Sequence, residues 1–550
     1  MSNPAPTPQQ PSGPGDDAHT LRVPPEVNDL SDLHASEGVQ AQPPERRSSA
    51  TPGLTPDGRL LAGRLAGLSM PVAIWTLSWP VLAESVLGSL VGLTDTILAA
   101  GLDDGASATD AIGFASYGMW FVGLIVAALG VGATAVIARA VGARRLAVAR
   151  AALSQTVLIA LVSGVLVGVV IALSTPVIAR SIALSPAAAR MFEQFLLINA
   201  FGVPFSSLVY AGRECLRGVG DSRGPLRVMV VVNIVNIFAS WALSGVDLKS
   251  TKLVEGVPES TILLANPFSL DLGVEGIAWG TVLAYFAGAL LMLRLLMRGS
   301  GGVNLRARRL LPHWITIQRI VRVGLPNFLE TAGMWLGNML VILAVGWIGL
   351  RSAGALGAHL IAIRVESFSF LPGFSMGVAA ATLAGQYLGA GSPALARRAV
   401  LACLAIALSL MAAGGAVFIL LPKSLVSIIS AQPEHLSLVP PLLIVAGVIQ
   451  IPFAVSLVLR SALRGVGDTR AVMWITWLTT WAIRLPLVYV CSGVDIPLGD
   501  GKAIENPFAP FLPWEPGLLG LWIGLCTEIV VRGVLFAHRF FVGSWAARRV

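Results

Sequence analysis

Between residues 73 and 541 the chain alternates long apolar runs with short polar connections. Each run is about 20 residues or longer, enough for a helix to cross the hydrocarbon core of a bilayer. The pattern predicts twelve membrane spans, over 73–100, 111–138, 150–173, 188–212, 225–246, 273–297, 320–346, 355–384, 397–421, 437–460, 471–492 and 517–541. The third run, LSQTVLIALVSGVLVGVVIAL, and the ninth, AVLACLAIALSLMAAGGAVFILL, contain no charged residue at all.

The connections differ in sign. Arg139, Arg144, Arg145 and Arg150 follow span 2, and Arg217, Arg223 and Arg227 follow span 4. Arg298, Arg306, Arg308, Arg309, Arg319 and Arg322 follow span 6, and later even-numbered connections carry Arg397, Arg398, Arg464 and Arg470. Odd-numbered connections are poor in cations. Two of them are longer and acidic: 247–271 holds Asp247, Glu255, Glu259 and Asp271, and 493–516 holds Asp495, Asp500, Glu505 and Glu515. Because cations are retained on the cytoplasmic side, this asymmetry predicts two cytoplasmic termini, which an even number of spans requires.

Composition narrows the class. Of 550 residues 55% are hydrophobic and only 12% charged, about half the charged fraction of a soluble protein. Mean hydropathy is +0.76. The 58 glycines and 34 prolines are tolerated where neighbouring helices satisfy the freed backbone groups. A net charge of +8 does not point to nucleic acid, because the cations sit in short loops between apolar runs. Cys215, Cys403, Cys491 and Cys526 are scattered without a CxxC pair, which argues against metal or disulfide chemistry. Residues 1–58, rich in Pro, Ser and Gln, are read as a disordered cytoplasmic tail, with a regulatory or partner-binding tail as the alternative. No signal peptide is recognised in them.

An internal repeat organises the rest. LRGVGD occurs at 216–221 and at 463–468, an offset of 247, and GVGATAVIARAVGA (130–143) matches GVAAATLAGQYLGA (377–390) at the same offset. SGVD (244–247 and 492–495), NPF (266–268 and 506–508), GIAWG/GLWIG (276–280 and 520–524) and PVLAE/PNFLE (80–84 and 326–330) repeat in the same order. The expected fold is therefore an all-α membrane protein of two six-helix lobes around a central cleft: N-lobe 70–298, linker 299–319 and C-lobe 320–545. Six spans per half put the pseudo-twofold axis along the membrane normal, which suits alternating access by rocking one lobe on the other.

Ionisable groups inside spans are costly and therefore candidates for function. Span 1 holds Glu84 and Asp95, 11 residues apart, hence on one helix face and roughly 16 Å apart along the axis. Pro80 shares that face and removes a backbone hydrogen bond, a natural bend point. Neutralising Asp95 with H⁺ or Na⁺ changes its desolvation cost and hydrogen bonding, as a cation-driven switch needs; the alternative is a water-capped interfacial Asp. Glu84 has a repeat partner, Glu330, whereas the position equivalent to Asp95 is Val341. The C-lobe adds Arg364 and Glu366 in span 8, Arg484 in span 11, and Glu528 and Arg532 in span 12; an ion pair of Glu330 with Arg364 or Arg484 is expected. Asn233 and Asn236 in span 5 can ligate Na⁺ or bond a carboxylate, or join helices, with Thr281 as a third oxygen donor.

Other signals read as structural. His359 is a packing residue before it is a proton acceptor, and Trp474, Trp477 and Trp481 form an interfacial belt before a cation-stacking surface. Gly88/Gly92 and Gly276/Gly280 are GxxxG packing patterns. GVGATA lacks the GK[ST] ending of a phosphate loop.

LTDT (93–96) with Pro80, ARAVGA (138–143), LRGVGDSRGP (216–225), NIVNI (233–237), RVESFSFLPGFSMGVAAATLAGQYLGAG (364–391) and LRGVGDT (463–469) together resemble the MATE family of multidrug and toxic compound extrusion transporters, over residues 70–545. The resemblance is nearer to the DinF-like branch than to the NorM branch. It implies an antiporter that exports drugs or metabolites, cationic and amphiphilic, against inward H⁺ or Na⁺. In the family, an Asp on the first helix couples the cation, and Asp95 matches it. Pro80 matches the bending proline, Asn236 the fifth-helix Asn and Thr281 the sixth-helix Thr. Ser240 stands where DinF-like members often carry a second Asp, which leaves the choice of H⁺ or Na⁺ open. The family implication is a monomer in the inner membrane, without a cofactor and with a small-molecule substrate. A lipid-linked precursor flippase of the same superfamily is the alternative, which Arg364 and Arg484 in the cleft would favour. A polytopic enzyme is disfavoured, since the six histidines are dispersed.

Overall fold

The computed structural model describes residues 53–181, 184–254, 257–268, 270–306, 310–430, 432–499 and 502–547. Helices dominate because only a helix satisfies every backbone group within its own segment in a lipid environment. The N-lobe comprises α1 (Met70–Ala100), α2 (Gly105–Gly142), α3 (Leu146–Ser181), α4 (Pro186–Val219), α5 (Arg223–Ser244) and α6 (Gly273–Arg298). The C-lobe comprises α7 (Trp314–Gly349), α8 (Ala355–Gly389), α9 (Pro393–Leu420), a short α10 (Pro422–Ile429), α11 (Pro433–Val448), α12 (Gln450–Gly465), α13 (Thr469–Trp477), α14 (Leu485–Ser492) and α15 (Leu518–Val542). Among the described residues ten helices are long and apolar enough to cross a membrane, counting Thr469–Ser492 as one, and the α11–α12 pair forms an eleventh, bent by 58°. With α2 continuous over its length, the expected twelve spans are accounted for.

Two spans depart from straight α-helices. The α11–α12 break has a local cause: Pro452 has no N–H to give the carbonyl of Val448, the last residue of α11. Between α13 and α14, Leu478–Arg484 is a π-helix, a geometry often found at functional positions; it delivers Arg484.

The two long connections, acidic in sequence, fold as antiparallel hairpins, β1 (Leu248–Val254) with β2 (Val257–Leu264) and β3 (Ile496–Gly499) with β4 (Lys502–Ile504). The repeated SGVD and NPF motifs tie the base of each. Asp247 Oδ1 accepts the Asn266 backbone N–H at 2.7 Å, and Asp495 Oδ1 that of Asn506 at 2.8 Å. Each Asn side chain then donates to the preceding helix, Asn266 to Trp241 O and Asn506 to Tyr489 O. The Asn506 N–H, with the Arg351 guanidinium paired beside it, holds the Asp495 carboxyl below the usual carboxylate range. A depressed pKa contributes stability above the ordinary value of about 4, and that contribution is lost as pH falls through the lower folded value. Hydrogen exchange should therefore show the Asn506 amide losing protection below about pH 4, and Asp495→Asn should remove the pH dependence.

The lobes meet at the cation-rich end. The positions of two glycines display the pseudo-twofold: a Cβ on Gly142 would overlap Gln386 O, and one on Gly389 would overlap Arg139 O. Both pairs are related by the 247-residue offset. Thr382 Oγ1 donates to Arg217 O at 3.2 Å and Gln386 Nε2 to Gly218 O at 2.9 Å, sealing the seam. At the hairpin end, by contrast, each lobe closes on its own core. Leu98, Ile112, Phe195 and Ile277 belong to one cluster, and Val345, Ala358, Leu443 and Trp522 to another, with no residue in common.

Two expected boundaries move. Residues 53–58, assigned to the tail 1–58, are folded: Leu54, Leu60 and Leu65 are buried with α8 and α9, and Arg64 N–H donates to Val219 O at 3.2 Å. Residues 53–69 thus form a strap over the lobe seam; residues 1–52 lie outside the described residues. Likewise α7 begins at Trp314, inside the expected linker 299–319.

Candidate functional site

Asp95 sits in the hairpin-end half of α1, one turn before its last, and is buried. Asn236 of α5 and Thr281 of α6 contact it, and Ser240 of α5 contacts Asn236. Thr281 Oγ1 lies 3.1 Å from Asp95 Oδ2 and donates to this carboxylate, and Asn236 Nδ2 lies 3.3 Å from Oδ1. Asn236 Nδ2 also lies 3.0 Å from Thr281 Oγ1 and 3.2 Å from Ser240 Oγ. No guanidinium or ammonium contacts Asp95 among the described residues. Asn236 Oδ1 is buried without a hydrogen-bond partner. Since the O and N of an amide are exchangeable by a flip about its terminal torsion, the same four residues can present Asp95, Asn236, Ser240 and Thr281 oxygens together. That is the hard-oxygen donor set of a small cation, and the carboxylate alone is a proton site.

The cluster depends on close approach of α5 and α6. A Cβ on Gly280 would overlap Ser240, and one on Gly276 would overlap Leu243 O. The Gly276/Gly280 packing pattern is therefore present as expected. The Gly88/Gly92 pattern is not: neither position has an atom within 4 Å of an added Cβ. Gly280→Ala should cost about 1–3 kcal/mol through overpacking and displace Ser240, whereas Gly88→Ala should be neutral or stabilising by about 1 kcal/mol at most. Thermal unfolding in detergent separates the two.

Asn233 is not part of the cluster. Its amide donates to Met229 O of its own helix at 2.9 Å, and its Oδ1 is buried without a hydrogen-bond partner. Pro80 is buried within a continuous α1.

The other charges form networks that neutralise them. Glu84 is paired with Arg217 at 2.9 Å and Arg213 at 3.4 Å, and Arg217 also with Glu214 at 2.7 Å. Glu330 is paired with Arg460 and Arg464, each at 2.6 Å, and accepts from Thr476 at 2.8 Å. These are repeat mates: Arg213 and Arg217 shifted by 247 are Arg460 and Arg464. The expected pairing of Glu330 with Arg364 or Arg484 is thus corrected. Arg484 binds Glu528 at 2.8 Å and donates to Asn338 Oδ1 at 2.6 Å, and Arg532 reaches Glu528 at 2.6 Å. Arg364 is exposed. It lies 25 residues before Gly389, which at 100° per residue returns to within about 20° of the same helix face, the face turned to the other lobe. Glu366 is half-buried on the opposite side.

Sequence reading missed Arg213, Glu214 and Arg460, and took Arg217 and Arg464 for loop cations. The signal was available in the repeat itself, since Arg213/Arg460 share the offset of LRGVGD. His359 has the packing role expected: Trp522 Nε1 donates to its Nδ1 at 3.1 Å. Trp474 and Trp477 meet edge to face at 6.3 Å.

Comparison with known proteins follows this geometry. The family model MatE matches residues 80–242 and 326–490, the two repeats. A probable multidrug resistance protein NorM of Thermotoga maritima is 27% identical over 474 residues, covering 86% of this chain and 93% of that protein. Multidrug resistance protein MdtK of Edwardsiella ictaluri is 25% identical over 300 residues, 54% of this chain and 61% of that protein. The expected DinF-like placement finds no support in these relatives, which bear NorM and MdtK names. Among solved structures, one described as MATE in the bent conformation aligns with a TM-score of 0.72 at 20% identity, over 86% of this chain and 96% of that chain. One described as the outward-facing conformation of a multidrug resistance MATE family transporter of the MOP superfamily aligns with a TM-score of 0.73 at 20% identity, over 92% of this chain and 100% of that chain. These likenesses establish the fold. The duplicated match, covering both lobes, makes the chain a member of the MatE family, whose members are membrane transporters and not enzymes.

Proposed function

We propose that this chain is a secondary antiporter that exports cationic, amphiphilic drugs or metabolites in exchange for H⁺ or Na⁺, with Asp95 as the coupling acid. The observation that carries this reading is the contrast among buried carboxylates. Glu84, Glu330 and Glu528 are neutralised by arginines, whereas Asp95 is buried with only neutral donors around it. A buried carboxylate without a counter-ion favours uptake of a cation, and its release demands that the site meet water. The NorM and MdtK names of the relatives support a multidrug substrate range. With the cation-rich end assigned to the cytoplasm, both termini are cytoplasmic. The protein acts as a monomer in the inner membrane and needs no cofactor beyond the coupling ion. Pro80 provides the bend through which the state of Asp95 is passed to the cytoplasmic half of α1.

The flippase reading loses Arg484, which is already bound to Glu528 and Asn338, and keeps only the exposed Arg364. The test is ethidium efflux from proteoliposomes of the purified chain with pH and Na⁺ gradients imposed independently. Efflux is expected to follow one of the two gradients in the wild type and neither in Asp95→Asn.

A further inference from the structure

The strap over the seam, residues 53–69, touches both lobes and is a folded unit in its own right. Gly58 N–H donates to Thr55 O at 2.9 Å, which closes a turn over Pro56 and Asp57. Thr55 N–H donates to Arg59 O at 2.9 Å, and Leu54 and Leu60 form an antiparallel bridge. Leu61 N–H donates to Gly53 O at 3.1 Å, Gly67 N–H to Leu60 O at 2.9 Å, and Arg59 Nη1 to Gly67 O at 3.1 Å. These bonds are internal to the strap, so it can move as one piece.

The two lobes hold it by different means. Its buried leucines, Leu54, Leu60 and Leu65, share one apolar cluster with Leu383 and Ala384 of α8 and Val400 and Cys403 of α9. That cluster contains Ala73, Ile74 and Leu77 from the first turns of α1, and none of its members comes from α2 to α6. The N-lobe is met mainly by backbone. Arg64 N–H donates to Val219 O, at the end of α4, at 3.2 Å. A Cβ on Gly63 would lie 2.6 Å from Val141 Cγ1 and 3.1 Å from Val219 O, and one on Gly301 of the linker would lie 2.7 Å from Arg64 N. The linker is itself bound to the N-lobe, since Arg150 donates twice to Gly302 O and Ser300 donates to Asp221. Leu65 also lies over Gly220 of the N-lobe, and Gly53 fills the seam, where its Cβ would overlap both Gly142 O of α2 and Ala390 of α8.

We propose that residues 53–69 are a latch that clamps the two lobes together at the cation-rich end and must release the N-lobe before the cleft can open there. This rests on the alternating-access reading above and adds the element that sets its resting state. Burial of three leucines outweighs one backbone hydrogen bond, whose net worth is reduced by competition with water. On opening, therefore, the leucines stay on α8 and α9, while the Gly63–Arg64 edge comes off Val219 and Gly301. The strap runs directly into α1, which is packed on the C-lobe at its start and holds Asp95 against α5 and α6 near its end. Latch and coupling acid thus act on the same helix from opposite ends.

The test uses Thr382→Cys in the full chain as a reporter. Thr382 is buried at the seam, where it donates to Arg217 O, so a water-soluble maleimide reaches a cysteine there only when the lobes part. Labelling is followed in the purified protein by mass spectrometry of the peptide carrying position 382, which separates it from Cys215, Cys403, Cys491 and Cys526. In this background Gly63→Val presses on Val141 and lifts the strap from the N-lobe, and Leu60→Ala loosens its anchor on the C-lobe. Both variants should label position 382 about tenfold faster than the chain with its native strap, the shift in open population expected from losing one net hydrogen bond. A strap that serves folding alone would lower the yield of folded protein and leave the labelling rate of the folded fraction unchanged. Labelling rates equal to that of the native strap overturn the proposal, and Leu60→Ala decides the matter if Gly63→Val does not fold. Failure of the antiport reading looks different: gradient-driven ethidium efflux is then absent from the wild type while the strap variants still accelerate labelling.

Discussion

Asp95→Asn abolishes gradient-driven ethidium efflux while leaving the protein folded. The amide is nearly isosteric, and its neighbours Asn236 and Thr281 can reorient to hydrogen-bond with it, so the cluster keeps its packing. What disappears is the negative charge that distinguishes a cation-loaded site from an empty one. Coupling between two sites exists only to the extent that a ligand discriminates between two states of the protein. Typical coupling free energies of 1–3 kcal/mol correspond to roughly 5- to 150-fold changes in affinity, and efflux should fall by a factor in that range, down to the leak rate of protein-free vesicles. Thermal unfolding should change little, because no buried charge is left without a partner. Retained efflux in Asp95→Asn would remove Asp95 from the coupling role. Ser240→Ala provides a graded comparison. It deletes one oxygen near Asn236 but keeps the carboxylate, and should weaken coupling without abolishing it.

Glu330→Gln should have the largest effect on stability. It leaves Arg460 and Arg464 in the C-lobe interior without their shared carboxylate, with Met334 Sδ as a remaining contact of Arg460. Removing one partner of a buried charge network typically costs 3–5 kcal/mol, because the remaining charge stays desolvated; a loss of about that size is expected here. The repeat supplies an internal control. Glu84→Gln removes the equivalent carboxylate of the N-lobe, but Arg217 keeps Glu214 at 2.7 Å, which is in turn bonded by Thr134. The C-lobe has Ser461 in the place of Glu214 and cannot compensate. Unfolding of the purified variants in detergent should therefore rank Glu330→Gln well below Glu84→Gln. Equal losses would show that Glu214 does not take up the freed charge. Glu330 and Glu84 stand close to the seam where the lobes meet, so the same variants should also slow transport through the closed state of the cation-rich end.

Much of this protein was open to reading from the pattern alone, and the reason is the bilayer. A solvent that cannot bond backbone groups restricts the chain to helices of one minimum length, so apolar runs translate directly into spans. The repeat then fixed two lobes and their axis, and the seam pairs Gly142–Gln386 and Gly389–Arg139 reproduce that axis. The Asp95, Asn236, Ser240 and Thr281 set was also legible, because polar residues are rare enough in apolar helices to be picked out singly.

Partner choice was not legible. Arg217 and Arg464 counted as loop cations in the chain, yet each lies buried or half-buried against a carboxylate more than a hundred residues away. Asn233 and Asn236 look alike in sequence, three residues apart. Only helix packing decided that one faces Asp95 and the other its own backbone, since three residues turn a side chain by about 300° and α6 is close on one side alone. The hairpins, the strap over the seam and the break at Pro452 likewise depend on contacts that local composition does not encode. Sequence by itself determined the solvent, the number of spans, the duplication and the polar residues that pay for burial. Tertiary structure alone decided which charges cancel, and so left Asp95 buried without an arginine.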